Sequence, residues 1–240
     1  MTAPTRLRHW KRWLGVGVAA AAIAVVGGPF LYIHFVAGSA PVPLVLSTPS
    51  VASSASGTTN PNPPNVATDG TWNIATGSIV GYRVNEVLFG QGHAAVGRTN
   101  AVTGSMVVSG TTVTQANFTV DMTTVASDQS RRDAQFNGRI MDTSTYPTAS
   151  FTLTKPIDLG SIPANGVQRT LKATGTLTLH GVTKSVTFLV TGQYTGSVVQ
   201  IAGSIPITFA DWGVPNPSFG GVVTTEDHGI LEFALNFSHA

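Results

Sequence analysis

Few residues in this chain are equipped for chemistry, and four places hold the best of them. His180 interrupts GTLTLHGVTKSVTF (175–188) at its centre, and Glu226-Asp227-His228 stand consecutively. His93 lies in GQGHAAVG (90–97), and Arg132-Asp133 pairs opposite charges within SRRDAQFNGRIM (130–141). Histidine changes charge near neutral pH and serves as general base or metal ligand, and carboxylates act as acids, bases or ligands.

The requirements of that chemistry are mostly unmet. A catalytic histidine needs a cleft and an orienting partner; the sequence around His180 supplies neither. Gly181 beside it supplies the freedom to take positive φ in a tight turn. His180 is therefore expected at the tip of a hairpin, with Lys184 just beyond. Consecutive residues on an extended chain point in alternate directions, so residues 226–228 read as a solvated loop rather than a metal cluster. His93 reads as part of a glycine-punctuated loop. No G-x-S-x-G, H-E-x-x-H or G-x-x-x-x-G-K occurs. The chain has no cysteine, which excludes disulfides and thiolate chemistry. No catalytic residue and no metal ligand are assigned, and the chain is not expected to be an enzyme.

The elements that carry these residues have a period of two. Leu171, Ala173, Gly175, Leu177 and Leu179 alternate with polar residues, and beyond His-Gly so do Val186, Phe188 and Val190. Phe118, Val120 and Met122 repeat the pattern, as do Ile201, Gly203, Ile205, Ile207 and Phe209, and Leu231, Phe233, Leu235 and Phe237. One wet and one buried face per strand indicates an antiparallel sheet. Long strands joined by short turns favour closure into a barrel, which removes exposed edges; a sandwich gives the same alternation. Residues 130–141 break it and follow Ser127-Asp128, a suitable cap. They read as a short helix and loop over one barrel end. Arg132-Asp133 is then an exposed pair, a carboxylate that caps a helix end, or a polar latch holding that segment at the rim.

The remaining organisation is set by charge. Only 10% of residues are charged, against about 25% in an average domain. Leu14 to Val36 carries no Asp, Glu, Lys or Arg and reaches roughly 34 Å as a helix, enough for a bilayer core. A signal peptide has a shorter apolar region and a small-residue cleavage site, so an uncleaved anchor is the expectation. Arg6, Arg8, Lys11 and Arg12 precede it, and no acid occurs before Asp69. This places residues 1–13 in the cytoplasm as a basic stub, 14–36 across the membrane, and the rest outside. Residues 37–70, rich in Pro, Ser and Thr, read as a linker, and 71–240 as the folded domain. Of thirteen Lys and Arg, nine follow the anchor against eleven acids, a balance of −2, which gives no basic face for nucleic acid.

The sequence as a whole resembles a known family. RRD at 131–133, YPTASFTL at 146–153, GTLTLHGVTKSVTF at 175–188 and DWG at 211–213 occur in the order found in the YceI-like polyisoprenoid-binding family. The likeness covers roughly Thr71 to Phe237. It implies a lipocalin-like antiparallel barrel, usually periplasmic or secreted, that holds an isoprenoid or similar lipid without catalysis or a further cofactor. The family's opening often carries an acid and a histidine before a serine; in IATGSIVGYRV (74–84) only Ser78 matches. The barrel-lining candidates are Phe118, Val120, Met122, Leu171, Ala173, Leu177, Leu179, Val186, Phe188, Val190, Ile205, Ile207, Phe209, Phe233 and Leu235. Arg132 and Asp133 are the polar rim candidates. The expected partners are an apolar lipid and, through the N-terminal helix, the cell membrane. An envelope interaction module with a packed barrel is the alternative.

Overall fold

The computed structural model describes residues 40–46, 68–88, 91–218 and 223–240. The basic stub, the apolar run 14–36 and most of the linker lie outside the described residues. The strands are β1 (Gly70–Ile74), β2 (Ile79–Leu88), β3 (Gln91–Thr99), β4 (Val102–Ser109), β5 (Thr112–Asp121) and β6 (Ala126–Ser127). They continue with β7 (Thr148–Lys155), β8 (Ile157–Asp158), β9 (Arg169–Leu179), β10 (Val182–Tyr194), β11 (Val198–Thr208), β12 (Val223–Thr225) and β13 (His228–His239).

Eight of these form a closed antiparallel ring in the order β1-β4-β5-β7-β9-β10-β11-β13, and β13 returns to β1 with Trp72 opposite His239 and Ile74 opposite Phe237. The barrel, not the sandwich, is the observed architecture. β13 is shared: its last residues pair with β1 and its first half with β2, Ile230 opposite Arg83 through Ala234 opposite Ile79. β1 and β2 are thus two halves of one kinked strand. Ser78 pins the kink, its Oγ donating to Ala75 O at 2.8 Å and accepting from Asn236 N at 3.0 Å. The match of Ser78 to the family is therefore structural in this chain.

The expected alternation is clearest on β9. On β9, Ala173, Gly175, Leu177 and Leu179 are buried while the residues between them are partly exposed. Outside the barrel, Thr170, Thr174 and Thr178 meet Thr191, Thr187 and Thr183 across the β9–β10 pair at 2.8, 3.0 and 2.8 Å. Cross-strand hydroxyl pairs of this kind tie neighbouring strands on the wet face. The interior forms two apolar clusters, one around Leu177, Phe209 and Trp212, the other around Trp72, Met106 and Phe237.

Three local expectations are corrected. β5 ends at Asp121, and Met122 opens a 3-10 turn (Met122–Thr124) because the Asp121 side chain accepts from Thr123 N and turns the chain. β11 ends at Thr208, and Phe209 opens a second 3-10 turn to Trp212 that Gly213 stops at φ 65°. His93 is a strand residue of β3, opposite Glu86 on β2, rather than a loop residue.

Above Asp121 the ring loses its strand closure. β3 pairs with β2 along one edge, and along its other edge only with the two residues of β6, Gly97 opposite Ser127 and Arg98 opposite Ala126. Helix α1 (Ser130–Gln135) and a π-helical turn (Phe136–Ile140) take over at this end. The segment expected as a short helix and loop is a short helix followed by a π-helical turn, with Gly138 inside the turn. Ser127 caps neither piece by a side chain; the N-cap is Gln129.

Candidate functional site: an apolar cavity along the barrel

The barrel is not filled by its own side chains. A cavity of about 800 Å³ runs along its interior, from Arg132 and Phe136 at the helical end to Leu159 and Ile162 at the other. Such a volume lies within the ~300–1,000 Å³ of ordinary small-molecule sites, and an eight-stranded barrel can hold one ligand.

The alternating strands aim the expected residues at this space. Phe118, Val120, Met122, Leu171, Ala173, Leu177, Leu179, Phe188, Val190, Ile205, Ile207, Phe209, Phe233 and Leu235 all line it. Met122 and Phe209 do so from turns rather than strands. Val186 does not line it; it packs against the cluster around Phe209 and Trp212. Small inward residues contribute less free space than their size implies. A Cβ on Gly175 would meet Phe151 Cζ at 2.4 Å, and one on Gly203 would meet Phe233 Cζ at 2.7 Å. Both glycines seat aromatic rings.

Those rings form a belt midway along the cavity. Phe118 stacks with Phe151 at 6.3 Å between centroids, Phe151 meets Phe188 edge-on at 5.5 Å, and Phe188 meets Phe233 at 5.8 Å. Offset and edge-to-face contacts each contribute beyond simple area burial, so the belt is a stiff wall.

The two rim candidates separate. Arg132 lines the cavity and donates from Nη2 to Glu86 Oε1 on β2 at 3.3 Å, with Asp128 as its second carboxylate. Both Arg132 and Glu86 are largely buried, at 17% and 10% side-chain exposure, so this is the latch geometry rather than an exposed pair. Asp133 turns away from the cavity. Its Oδ1 accepts from Ser127 N at 2.8 Å and Ser127 Oγ at 2.6 Å, which fixes the turn into α1. Beside the latch, Tyr82 stacks on Phe136, and burial holds its phenol protonated well above the usual range.

At the opposite end Tyr194 lines the cavity and meets Trp72 edge-on at 6.3 Å. Its Oη is buried without a hydrogen-bond partner among the described residues. A buried hydroxyl that is left unpaired is costly, and this one offers a hydrogen bond to any polar atom a ligand carries to that depth.

The remaining candidates lie outside the cavity. His180 sits at the β9–β10 tip with φ 49°, followed by Gly181 at φ 74°, and its ring lies 4.6 Å from that of Tyr146. His228 bonds Asp227 at 2.9 Å and Glu226 at 3.3 Å, all three side chains being exposed. The Asp227 bond raises the His228 pKa and lowers that of Asp227. Among the described residues no group of three or more His, Cys, Asp or Glu is placed to hold a metal.

Several lining residues went unnamed at the sequence level. Val102, Met106 and Val108 on β4 repeat at even spacing, the same signal used elsewhere. Phe136, Ile140 and Met141 line the cavity from the helical end; their spacing marks an apolar helical stripe in a segment read for its charges.

A closed eight-stranded barrel around a long apolar cavity defines a lipocalin-like container. The chain belongs to the YceI-like domain family, whose model matches residues 72–237. A UPF0312 protein of Vibrio parahaemolyticus is 33% identical over 121 residues, 48% of this chain and 60% of that relative. One from Vibrio vulnificus is 31% identical over the same shares. The chain thus spans about 60% of the length of these curated relatives. Among solved structures, a polyisoprenoid binding domain from Saccharophagus degradans, implicated in plant cell wall breakdown, superposes with a TM-score of 0.59 at 18% identity. The match covers 72% of this chain and 99% of that one.

Proposed function

We propose that this protein is a membrane-tethered, extracytoplasmic binding protein that holds a polyisoprenoid or similar long-chain lipid in its barrel, without catalysis. The cavity carries this reading. It is long, almost wholly apolar and walled by rigid rings, and each Å² of hydrocarbon it removes from water is worth about 25 cal/mol. Family membership supports it, as does the ligand class in the name of the Saccharophagus degradans domain. A packed barrel serving only as an interaction module would leave about 800 Å³ of interior space unexplained.

The tether and the outside location rest on the basic residues ahead of the uncharged run at 14–36. Native mass spectrometry of the full chain, released gently from membranes, tests the ligand: one lipid per chain is expected, identified after extraction. A chain that never carries lipid overturns the binding reading. Carbonate washing tests the tether separately, and a chain released by it is not anchored.

A further inference from the structure

The β13–β2–β3 wall of the barrel carries a charged cluster in which Glu232 borders the cavity while Arg83 and Arg98 do not. Glu232 on β13, Gly81 on β2 and Arg98 on β3 stand side by side in register. A Cβ on Gly81 would lie 2.9 Å from Arg98 Cγ, so the bare backbone there lets the arginine cross the strand. Arg98 Nη2 reaches Glu232 Oε1 at 2.9 Å, and Arg83 Nε reaches the other oxygen at 3.4 Å. Glu232 is only 4% exposed.

One carboxylate thus faces two guanidiniums, and the donors left over are taken by a distant piece of the same chain. Arg83 Nη2 donates to Pro41 O at 2.6 Å, and Arg98 Nη2 donates to Val42 O. In return Leu44 N–H donates to Glu232 Oε2 at 3.4 Å. The grip is on the main chain, since the side chains of Val42 and Val45 stay 78% and 71% exposed. Pro41 and Pro43 have no N–H to donate and favour an extended path, which lowers the entropy lost on docking.

We infer that Arg83, Arg98 and Glu232 form a docking site for an extended, proline-containing main chain, with Ala40–Leu46 as its resident occupant, strapping the linker to the barrel wall. Resting on the membrane-anchor reading, the strap has a consequence for reach. Only residues 37–39 separate it from the apolar run, so Ala40 lies within about 14 Å of Val36. A free linker through residue 69 would have a typical span of roughly 30 Å. The strap keeps the barrel flank beside the bilayer that supplies its lipid.

The absence of native cysteine makes the test clean. In the full chain in lipid nanodiscs, spin labels at Val45→Cys and Thr187→Cys, both exposed positions, report the strap by electron–electron distance. One narrow distance distribution is expected. Arg83→Gln with Arg98→Gln should broaden it to a coil-like spread, with circular dichroism checking that the barrel stays folded. Leu44→Pro removes the strap's own donor without touching the barrel and should broaden it too. A broad distribution in the parent, or a narrow one that survives both changes, overturns the strap. Failure of the chain to enter nanodiscs overturns the anchor instead, and the same distance measured in solution still decides the strap.

Discussion

The Phe136 ring lies parallel to that of Tyr82, with centroids 5.0 Å apart and planes 10° apart. This contact joins the helical segment to β2, and the Arg132–Glu86 pair beside it joins the same two elements. Hydrophobic and ionic contacts therefore fix one segment over one end of the cavity. Arg132→Gln leaves Glu86 largely buried without its cation, which should cost about 1–3 kcal/mol. It should also speed release of a fluorescent lipid, as should Phe136→Ala. Thermal unfolding and displacement kinetics read the two effects apart. Unchanged release in both variants would mean that ligands do not pass this end.

The same stack makes stability sensitive to alkaline pH. Burial keeps the Tyr82 phenol protonated above its usual range. As pH rises past the ordinary tyrosine pKa near ~10, the unfolded chain loses this proton and the folded chain retains it. The folded state then binds more protons, so stability falls with rising pH, by at most about 1.4 kcal/mol per unit. Tyr82→Phe should remove that part of the slope in denaturant titrations at a series of alkaline pH values. Equal slopes in both proteins would show that Tyr82 is not held neutral.

At the β9–β10 tip the backbone, not the imidazole, is the critical feature. Gly181 has φ 74°, and a Cβ there would meet Tyr146 Cε1 at 2.5 Å. Gly181→Val combines a strained conformation with overpacking and should cost at least about 2–3 kcal/mol. His180→Asn keeps a residue tolerant of positive φ and loses the ring contact with Tyr146 and the Nδ1 contact with Trp212 O at 3.3 Å, both outside the cavity, so lipid binding should persist. A folded His180→Asn protein that no longer binds lipid would make His180 functional.

These elements differ in how openly the sequence declares them. The faces of β9, β10 and β13 are legible because apolar residues recur at every second position against threonine and other polar partners. The breaks at Met122 and Phe209 are not, since both residues continue the alternation while side-chain capping and Gly213 turn the backbone. The kink that divides β1 from β2 is equally silent, being fixed by Ser78 against Asn236, a residue remote in sequence. Charge misled in one respect and helped in another. The scarcity of charge singles out Arg132-Asp133 but leaves exposed pair, helix cap and latch open, and the partner Glu86 emerges only once β2 and α1 are in place. Val186 shows the limit of periodicity: it faces inward and still touches filled core rather than cavity.

The container reading is tested most directly at Phe188. It lies opposite Ala173 on β9, is 9% exposed, and holds the aromatic belt between Phe151 and Phe233. Phe188→Asp puts a carboxylate into that wall with no cation facing it. An unpaired buried charge costs several kcal/mol, so the site must admit water or keep the acid protonated. In either case the hydrocarbon chain loses an apolar surface, and lipid content should fall at least tenfold. Phe188→Leu removes the ring contacts but not the apolar character; it should lose about 1–2 kcal/mol of stability and keep most of the lipid. Thr187→Asp, one residue along on the wet face, gives up only the Thr174 hydroxyl contact and should stay within about 0.5 kcal/mol of the parent. Circular dichroism with lipid quantification on all three separates a lined cavity from a mere core. If stability and lipid content fall in strict proportion across the series, Phe188 acts only through the fold. If Phe188→Asp stays folded and empty, the ring is part of the binding wall.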